Sequence, residues 1–254
     1  MTRRKARLAF MRLLVCGSLL GILCLAAAQG ATSQSPLPMF NAEYSLKRNG
    51  LTLGVSTRSL SAAGDGTYIY ASSTRATGII AWFVKDHFDE YSKWTLNGKE
   101  LRPLEYVYNR HGGNKTRHVK LKFDWQHLIV TNTIDGDPWR MSIPPDAQDK
   151  LVYQLSIMYD LMKGTKHLEY KIADGGKLKD YEFEIEGEET LDTVLGKIKA
   201  VRIQRIGDKR DTTVWCAPRL SYLPVRLEQQ DTDGAKLTMT ITSLRGIPVH
   251  RSIP

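Results

Sequence analysis

Apolar and polar residues alternate along much of this chain, and this period of two limits the folds open to it. The pattern is clear at residues 42–46, 104–108, 119–123 and 181–185. In each segment the apolar residues fall on one side of an extended chain and the polar residues on the other. The pattern therefore predicts β-strands with one buried face and one face in water.

Short turn signals separate the alternating segments. Examples are Arg-Asn-Gly at 48–50, Ala-Asp-Gly-Gly at 173–176 and Thr-Asp-Gly at 232–234. Their regular recurrence favours an antiparallel meander over strand–helix–strand units.

One segment, residues 144–164, departs from the alternation. Its large apolar residues recur at spacings of four, three and four: Leu151, Leu155, Met158 and Met162. This spacing places them on one face of a helix. We predict a helix over residues 146–163, with Asp146 as its N-cap and Gly164 as its end.

The fold class predicted from these patterns is mainly β. We expect a large, curved antiparallel sheet, half-open and barrel-like, with one amphipathic helix packed on its concave face. The β domain is predicted to span residues 40–247 as a single unit. A flexible segment at 29–39 precedes it, and a tail at 248–254 follows it.

Residues 1–28 have the layout of a secretory signal peptide. Basic residues come first, an apolar run follows at 13–28, and Ala26 and Ala28 stand where cleavage is expected. The alternative is an uncleaved membrane anchor, but about 16 apolar residues are fewer than the roughly 20 that a spanning helix needs. The sequence therefore predicts export, with no transmembrane segment in the mature chain.

Charge and cysteine content narrow the function classes. The formal charge is +9, and loss of residues 1–28 removes five basic residues and no acidic one, which leaves +4. No dense basic stripe remains, so no nucleic acid partner is expected. Only Cys216 lies outside the leader, and no pair of histidines has the spacing of a zinc motif. We expect no cofactor and no metal.

Residues 222–242 raise the question of a calcium loop because Glu228, Asp231 and Asp233 lie close together. In an EF-hand loop Gly stands at the sixth position and Glu at the twelfth. Counting from Asp231, Gly is fourth and Thr242 is twelfth. Apolar residues alternate on both sides of Asp233-Gly234, so we predict a hairpin turn.

Two further segments have a chemical and a structural interpretation. Residues 82–94 combine aromatic residues with Asp86, His87 and Glu90, which could form an acid/base cluster or a binding surface. The alternative, which we favour, is a strand pair with its aromatic residues in the core. Cys216 is either a nucleophile or, as we favour, a small buried residue.

A slot between the helix and the curved sheet could hold an acyl chain, because methionine adapts to irregular ligands. The alternative is that side chains fill this slot completely. If the slot is open, six residues are candidates for its lining: Trp82, Trp94, Leu155, Met158, Met162 and Trp215. We identify no catalytic residue, and the known hydrolase and phosphate-loop motifs are absent from the sequence.

Three stretches resemble a family of exported bacterial proteins of unknown function, DUF3108. They are "FNAEYSLKRNGLTLG", "DHFDEYSKW…LRPLEYVYNR" and "TVWCAPRLSYLPVRLEQQDTDG", and the likeness spans residues 40 to 246. The resemblance implies a periplasmic protein of the Gram-negative cell envelope and brings no catalytic residues. At the level of fold alone, such sheets are also similar to the half-open barrel of the outer-membrane lipoprotein carriers.

Three functions are compatible with the sequence. The first is a non-enzymatic periplasmic binding protein that holds a lipid, another amphiphile or an envelope partner in the concave face. The second is an adaptor of envelope biogenesis that acts through protein contacts without a small ligand. A hydrolase built from scattered polar residues is the third.

Overall fold

The structure is a computed structural model that describes residues 35–113, 115–207 and 211–248. The predicted leader, residues 29–34 and nearly all of the predicted tail lie outside these ranges. Of the segment expected to be flexible, residues 35–39 are described. Leu37 among them is buried in the core, which differs from the expectation.

Fourteen strands form one antiparallel sheet in which consecutive strands are neighbours, except for β8 and β9. The strands are β1 (Phe40–Arg48), β2 (Leu51–Gly64), β3 (Thr67–Ala76), β4 (His87–Asn97), β5 (Glu100–His111), β6 (Arg117–Asp124), β7 (Ile129–Ile134), β8 (Asp137–Ser142), β9 (Leu168–Asp174), β10 (Lys177–Thr193), β11 (Gly196–Ile206), β12 (Asp211–Ala217), β13 (Leu223–Gln230) and β14 (Lys236–Arg245). A single α-helix, α1, spans Val152–Met162 among the described residues, and 3-10 turns lie at Gly78–Trp82 and Pro218–Leu220.

The order of the strands makes the sheet an open barrel. β1 pairs with β14, so the two halves of the meander join at the chain ends, and β8 and β9 are left as the two edges. The predicted fold class is confirmed: the sheet is antiparallel, curved and half-open. Because successive antiparallel strands reverse direction, the β1–β2, β3–β4, β5–β6 and β9–β10 connections all lie at one end of the barrel. We call this end the mouth end.

The helix packs inside the curved sheet. Val152, Leu155 and Met158 are buried in one core cluster with residues of the sheet such as Trp94 and Leu121. Ile157 and Leu161 enter a second cluster against β9, β10, β11 and β12. The helix therefore supplies the apolar surface that the concave face of the sheet needs.

The helix begins later than predicted. Asp149, not Asp146, caps it: the Asp149 Oδ1 atom accepts hydrogen bonds from the backbone N–H groups of Leu151 (2.7 Å) and Val152 (2.9 Å). The preceding residues cannot be helical because Gln148 pairs with the edge of β9, donating its N–H to the Lys171 carbonyl at 2.8 Å. The predicted end is confirmed, since Gly164 has a φ of 77° and donates its N–H to the Leu161 carbonyl.

The 222–242 segment is the predicted hairpin. β13 and β14 pair from Arg226 with Thr240 to Gln230 with Lys236. The Asp231 N–H donates to the Ala235 carbonyl, and the Gly234 N–H donates to the Asp231 carbonyl, both at 2.9 Å. The acidic residues of this segment are therefore turn and strand residues.

The two edges of the sheet approach each other through a tryptophan and a glycine. A Cβ atom on Gly176, in the β9–β10 turn, would lie 2.3 Å from the ring of Trp139 on β8. Only a residue without a side chain allows this contact. We call the line along which β8 faces β9 the seam.

Replacing Gly176 with alanine is expected to lower the free energy of unfolding by about 1–3 kcal/mol, because the methyl group displaces Trp139 and the backbone φ of +77° is strained for alanine. Gly175→Ala is the matched control, since Gly175 also has a positive φ but has open space at its Cβ position. Urea denaturation of both variants measures the difference. Equal losses would show that the Trp139 contact contributes nothing.

Candidate functional site

The inner face of the sheet changes from apolar to polar toward the mouth end. One row across five strands pairs Ala42 with Arg58, Ser72, Glu90 and Tyr108 in turn. The next row toward the mouth end ends in Arg110 and Arg117. Charged side chains on an inward-facing row are costly to bury, so this part of the interior differs from an ordinary core.

A cavity of about 420 Å³ opens at the mouth end, between the inner face of β5 and β6 and the β9–β10 turn. Its size lies within the range of small-molecule sites. We call it the basic mouth. It is lined by Tyr106, Tyr108, Arg110, Arg117, Val119, Leu121, Lys150, Ala173, Asp174, Gly175, Lys177 and Lys179.

Positive charge dominates the basic mouth. Five of its lining residues are basic and only Asp174 is acidic. Asp174 is shared between Lys179, 2.6 Å away, and Lys150, 3.7 Å away. Burial opposes ionisation of this carboxyl, yet the two lysines hold the pKa of Asp174 below its ordinary value.

Arg110 is partly neutralised from outside the lining. Its guanidinium forms a two-point contact with the Asp86 carboxylate, at 2.9 and 3.2 Å. Arg117 and Lys177 form no ion pair within the described part of the chain. The basic mouth and its immediate partners therefore hold three more positive than negative charges, which attracts an anion.

A partly buried polar layer lies beneath the mouth. The Tyr106 hydroxyl donates to the Glu90 carboxylate at 2.8 Å, and the Arg58 guanidinium donates to the Gln154 side chain of α1 at 2.5 Å. Burial, together with the Glu90 charge, raises the pKa of Tyr106, which keeps its hydroxyl protonated as a donor. These contacts fix the helix and the inner face of the sheet relative to each other below the cavity.

Apolar side chains complete the cavity. Val119, Leu121 and Ala173 contribute its apolar lining. Asn132, the cross-strand neighbour of Leu121, is fully buried, and its amide oxygen and nitrogen have no hydrogen-bond partner in the described chain. A site with a charged rim, an apolar lining and an unsatisfied buried amide beside it suits a ligand that is part polar and part apolar.

The six residues predicted to line a slot do not surround a common cavity. Trp94, Leu155 and Met158 are at most 1% exposed and pack in the core, so the space between helix and sheet is filled there. Trp215 is also buried: its indole N–H donates to Glu189 at 2.7 Å, and the Arg202 and Arg226 guanidinium groups lie over its ring.

The placement of the other two residues corrects the predicted lining. Trp82 is 83% exposed, and it lies in the 3-10 turn after β3 and not in a strand. Met162 is 43% exposed at the last position of α1. Neither side chain belongs to either core cluster.

The acid/base cluster considered as an alternative for residues 82–94 does not form, because its polar residues have different partners. Asp86 pairs with Arg110, Glu90 accepts from Tyr106, and the ring of His87 lies edge-on to that of His111 at 5.3 Å. The favoured interpretation, aromatic residues in the core, is correct for Trp94 and wrong for Trp82 and Phe83. The strand β4 begins only at His87, so the residues before it lie outside the sheet.

A serine, an aspartate and a histidine also meet on the opposite face of β3, β4 and β5. The Ser73 hydroxyl donates to Asp89 at 2.7 Å, and His111 Nε2 lies 2.7 Å from the other oxygen of the same carboxylate. A nucleophilic serine must donate to the histidine. Here it donates to the carboxylate, so this arrangement does not activate it.

Cys216 is a core residue, as favoured from the sequence. It is fully buried in the cluster formed by α1 and β9 to β12. Burial raises the pKa of its thiol to about 12, which keeps it from acting as a thiolate. Among the described residues, no group of three or more His, Cys, Asp or Glu side chains is placed to hold a metal ion.

Comparison with known proteins agrees with the open-barrel fold. The crystal structure of a β-barrel-like protein of the domain of unknown function DUF1849 from Brucella abortus is similar, with a TM-score of 0.54 and 9% sequence identity. The similarity covers 82% of this chain and 97% of that one. At this identity the likeness concerns the fold alone.

The family is shown by sequence. The profile of the protein family of unknown function DUF3108 matches residues 41–242, and the chain belongs to this family. The resemblance seen in the sequence is thereby confirmed. No curated protein matches the chain. In the described ranges, no helix combines the length and apolar character needed to cross a bilayer.

Proposed function

We propose that the protein is a non-enzymatic binding protein of the bacterial cell envelope, exported to the periplasm by residues 1–28, whose basic mouth holds a small anionic amphiphile. The observation that carries the proposal is the cavity itself, in which five basic side chains surround tyrosine and aliphatic side chains. The ligand's anionic group contacts Arg117 and Lys177, and its apolar part lies over Val119 and Leu121.

The ion pairs among the lining residues support the assignment of Arg117 and Lys177 as the anion-binding residues. Lys150 and Lys179 are engaged by Asp174, and Arg110 is engaged by Asp86. Arg117 and Lys177 remain for an anion, and they come from strands that face each other across the cavity. Charge-assisted hydrogen bonds in a partly desolvated site are stronger than those on an open surface.

The filled core restricts the size of the ligand. Because Trp94, Leu155 and Met158 occupy the space under the helix, a long acyl chain cannot pass between helix and sheet without displacing them. The ligand that fits about 420 Å³ is a single-chain amphiphile or the head and first carbons of a larger lipid.

Changing Arg117 and Lys177 together to glutamate is expected to weaken binding of dodecyl phosphate by at least about 100-fold, because each of the two charged hydrogen bonds contributes about 1.5–3 kcal/mol. Isothermal titration below the micelle concentration measures the affinity. Inorganic phosphate and the uncharged dodecyl maltoside separate the contributions of the head and the chain.

The matched control is Lys99→Glu together with Lys197→Glu, two exposed lysines at the other end of the barrel. It makes the same change in net charge and should leave the affinity unchanged. An equal loss of affinity in both double variants would show that the loss comes from the change in net charge and not from contacts in the basic mouth. No binding of dodecyl phosphate to the unaltered protein would exclude the proposal and favour an adaptor that works through protein contacts.

A further inference from the structure

The β3–β4 loop, residues 77–86, exposes an apolar tip at the mouth end. Ile79 is 78% exposed, Trp82 83%, Phe83 82% and Val84 43%. The neighbouring strand β2 adds Leu51, which is 61% exposed. Exposed apolar residues that occur singly are ordinary, but a cluster that includes two aromatic residues marks an interaction site.

The base of this loop is fixed to the barrel while its tip projects. The Thr77 N–H donates to the Leu53 carbonyl at 3.1 Å, and Asp86 is held by Arg110. A Cβ atom on Gly112 would lie 2.1 Å from the Lys85 carbonyl oxygen, so the β5–β6 loop packs directly against the end of the β3–β4 loop. The projecting tip is therefore held in a set position.

Basic residues surround the tip. Arg75 and Lys85 flank it along the chain, and both are exposed. Lys115 is exposed on the adjacent β5–β6 connection. Within the loop the one acidic side chain is Asp86, which Arg110 neutralises. The surroundings of the apolar tip therefore complement an anionic surface.

We propose that the β3–β4 loop inserts its tip into the surface of a lipid bilayer that contains anionic lipid, and so holds the mouth end of the barrel against the membrane. Tryptophan and phenylalanine suit the boundary between headgroups and acyl chains. Lysine and arginine around them attract anionic headgroups. This inference goes beyond the proposed ligand and does not depend on it.

The size and shape of the tip favour a lipid surface over a protein partner. The two aromatic side chains offer roughly 150–250 Å² each, whereas a stable protein interface buries about 800 Å² on each side. A fluid bilayer, unlike a protein partner, needs no shape complement to accept these exposed side chains.

The test uses the chain from Gln29 onward, because the apolar run at 13–28 would itself bind lipid; the sheet, the helix and the core all lie within residues 35–248. Vesicles of phosphatidylcholine mixed with phosphatidylglycerol are sedimented with the protein. We expect binding that is weaker to phosphatidylcholine alone and weaker at high salt. Replacing Trp82 and Phe83 together with serine should reduce the partition coefficient by about tenfold or more.

Val194→Ser is the matched control, since Val194 is 71% exposed in the β10–β11 turn at the opposite end. This variant should bind as the unaltered chain does. Lys85→Glu should weaken binding to the anionic vesicles by about fivefold. Brominated acyl chains should quench tryptophan fluorescence in the unaltered protein and much less in Trp82→Ser, which separates insertion from electrostatic adsorption.

Three results would overturn the inference. One is the absence of binding to any of the vesicles. Another is binding that survives in the Trp82 and Phe83 double variant, which would assign adsorption to the basic mouth. The third is capture of a protein through this tip without vesicle binding, which would make the loop a protein-docking surface.

Discussion

Truncation of Leu155 to alanine is expected to lower the free energy of unfolding by about 2–5 kcal/mol. Leu155 is fully buried at the centre of the helix face that packs on the sheet. The space left by its side chain is surrounded by β-sheet side chains such as Trp94, which a hydrogen-bonded sheet holds in place. The cavity therefore cannot collapse easily, and the loss should lie in the upper part of the range.

Urea denaturation, followed by circular dichroism at constant m-value, measures this loss. Met162→Ala in the same helix is the matched control, because Met162 is 43% exposed and its truncation should change stability by about 0.5 kcal/mol or less. Comparable losses in the two variants would mean that the helix does not supply the core of the barrel.

Replacement of Asp149 by asparagine is expected to raise the free energy of unfolding near pH 8 by about 1–3 kcal/mol. Burial raises the pKa of the Asp149 carboxyl to about 6 from 3.8, against the opposing effect of hydrogen bonds from Ser92, Val152 and Leu151. Asparagine keeps an oxygen acceptor for the two backbone N–H groups of the helix cap and carries no charge.

The sign of the pH dependence follows from the raised pKa. Between about pH 4 and 6 the folded protein holds this proton more tightly than the unfolded chain does, so stability contributed by Asp149 falls as the pH rises. Above the folded pKa the whole cost of the buried charge is present. The advantage of Asp149→Asn should therefore appear across this window and vanish near pH 4.

The difference in stability between Asp149→Asn and the unaltered protein isolates the contribution of Asp149. Several other carboxyl groups have lowered pKa values, so their contribution to stability rises with pH, but it is the same in both proteins. Asp149→Ala serves as the control for the cap: it also lacks the charge but loses the acceptor, so it should be less stable than Asp149→Asn by about 1–2 kcal/mol at every pH. A pH-independent difference between Asp149→Asn and the unaltered protein would show that the carboxyl is not buried as described.

The strands could be predicted from the sequence because the alternation of apolar and polar residues and the turn residues are local features of the chain. Alternate residues of β5 face inward, among them Tyr106, Tyr108 and Arg110. The same alternation is visible in the sequence. The pairing of β1 with β14 and the seam between β8 and β9 depend on contacts between distant parts of the chain. No local pattern encodes such contacts.

The start of the helix shows how a nonlocal contact overrides a local signal. Asp146 has the composition of an N-cap, but the pairing of Gln148 with β9 keeps this segment extended. The cap passes to Asp149, the next acidic residue along the chain.

The basic mouth was missed because its charges come from separate segments. Arg117 follows one turn, Lys150 precedes the helix, and Lys177 follows another turn. One signal was present: Arg110 and Arg117 occupy inward positions at strand ends, where an apolar residue is expected. The sequence also contained a signal for Trp82. Residues 78–84, "GIIAWFV", form a continuous apolar run that lacks the alternation of a strand.

The seam is the line along which neighbouring strands of the barrel are not joined by a backbone hydrogen-bond ladder. Every other neighbouring pair of strands is joined by a ladder of backbone hydrogen bonds, whereas β8 and β9 meet through the Trp139 ring at Gly176. Separating these two strands breaks side-chain packing but no ladder between them. Opening the barrel along this line therefore leaves every strand ladder intact, and the backbone hydrogen bonds that hold the β9 edge are those of Gln148 with Lys171 and Ala173.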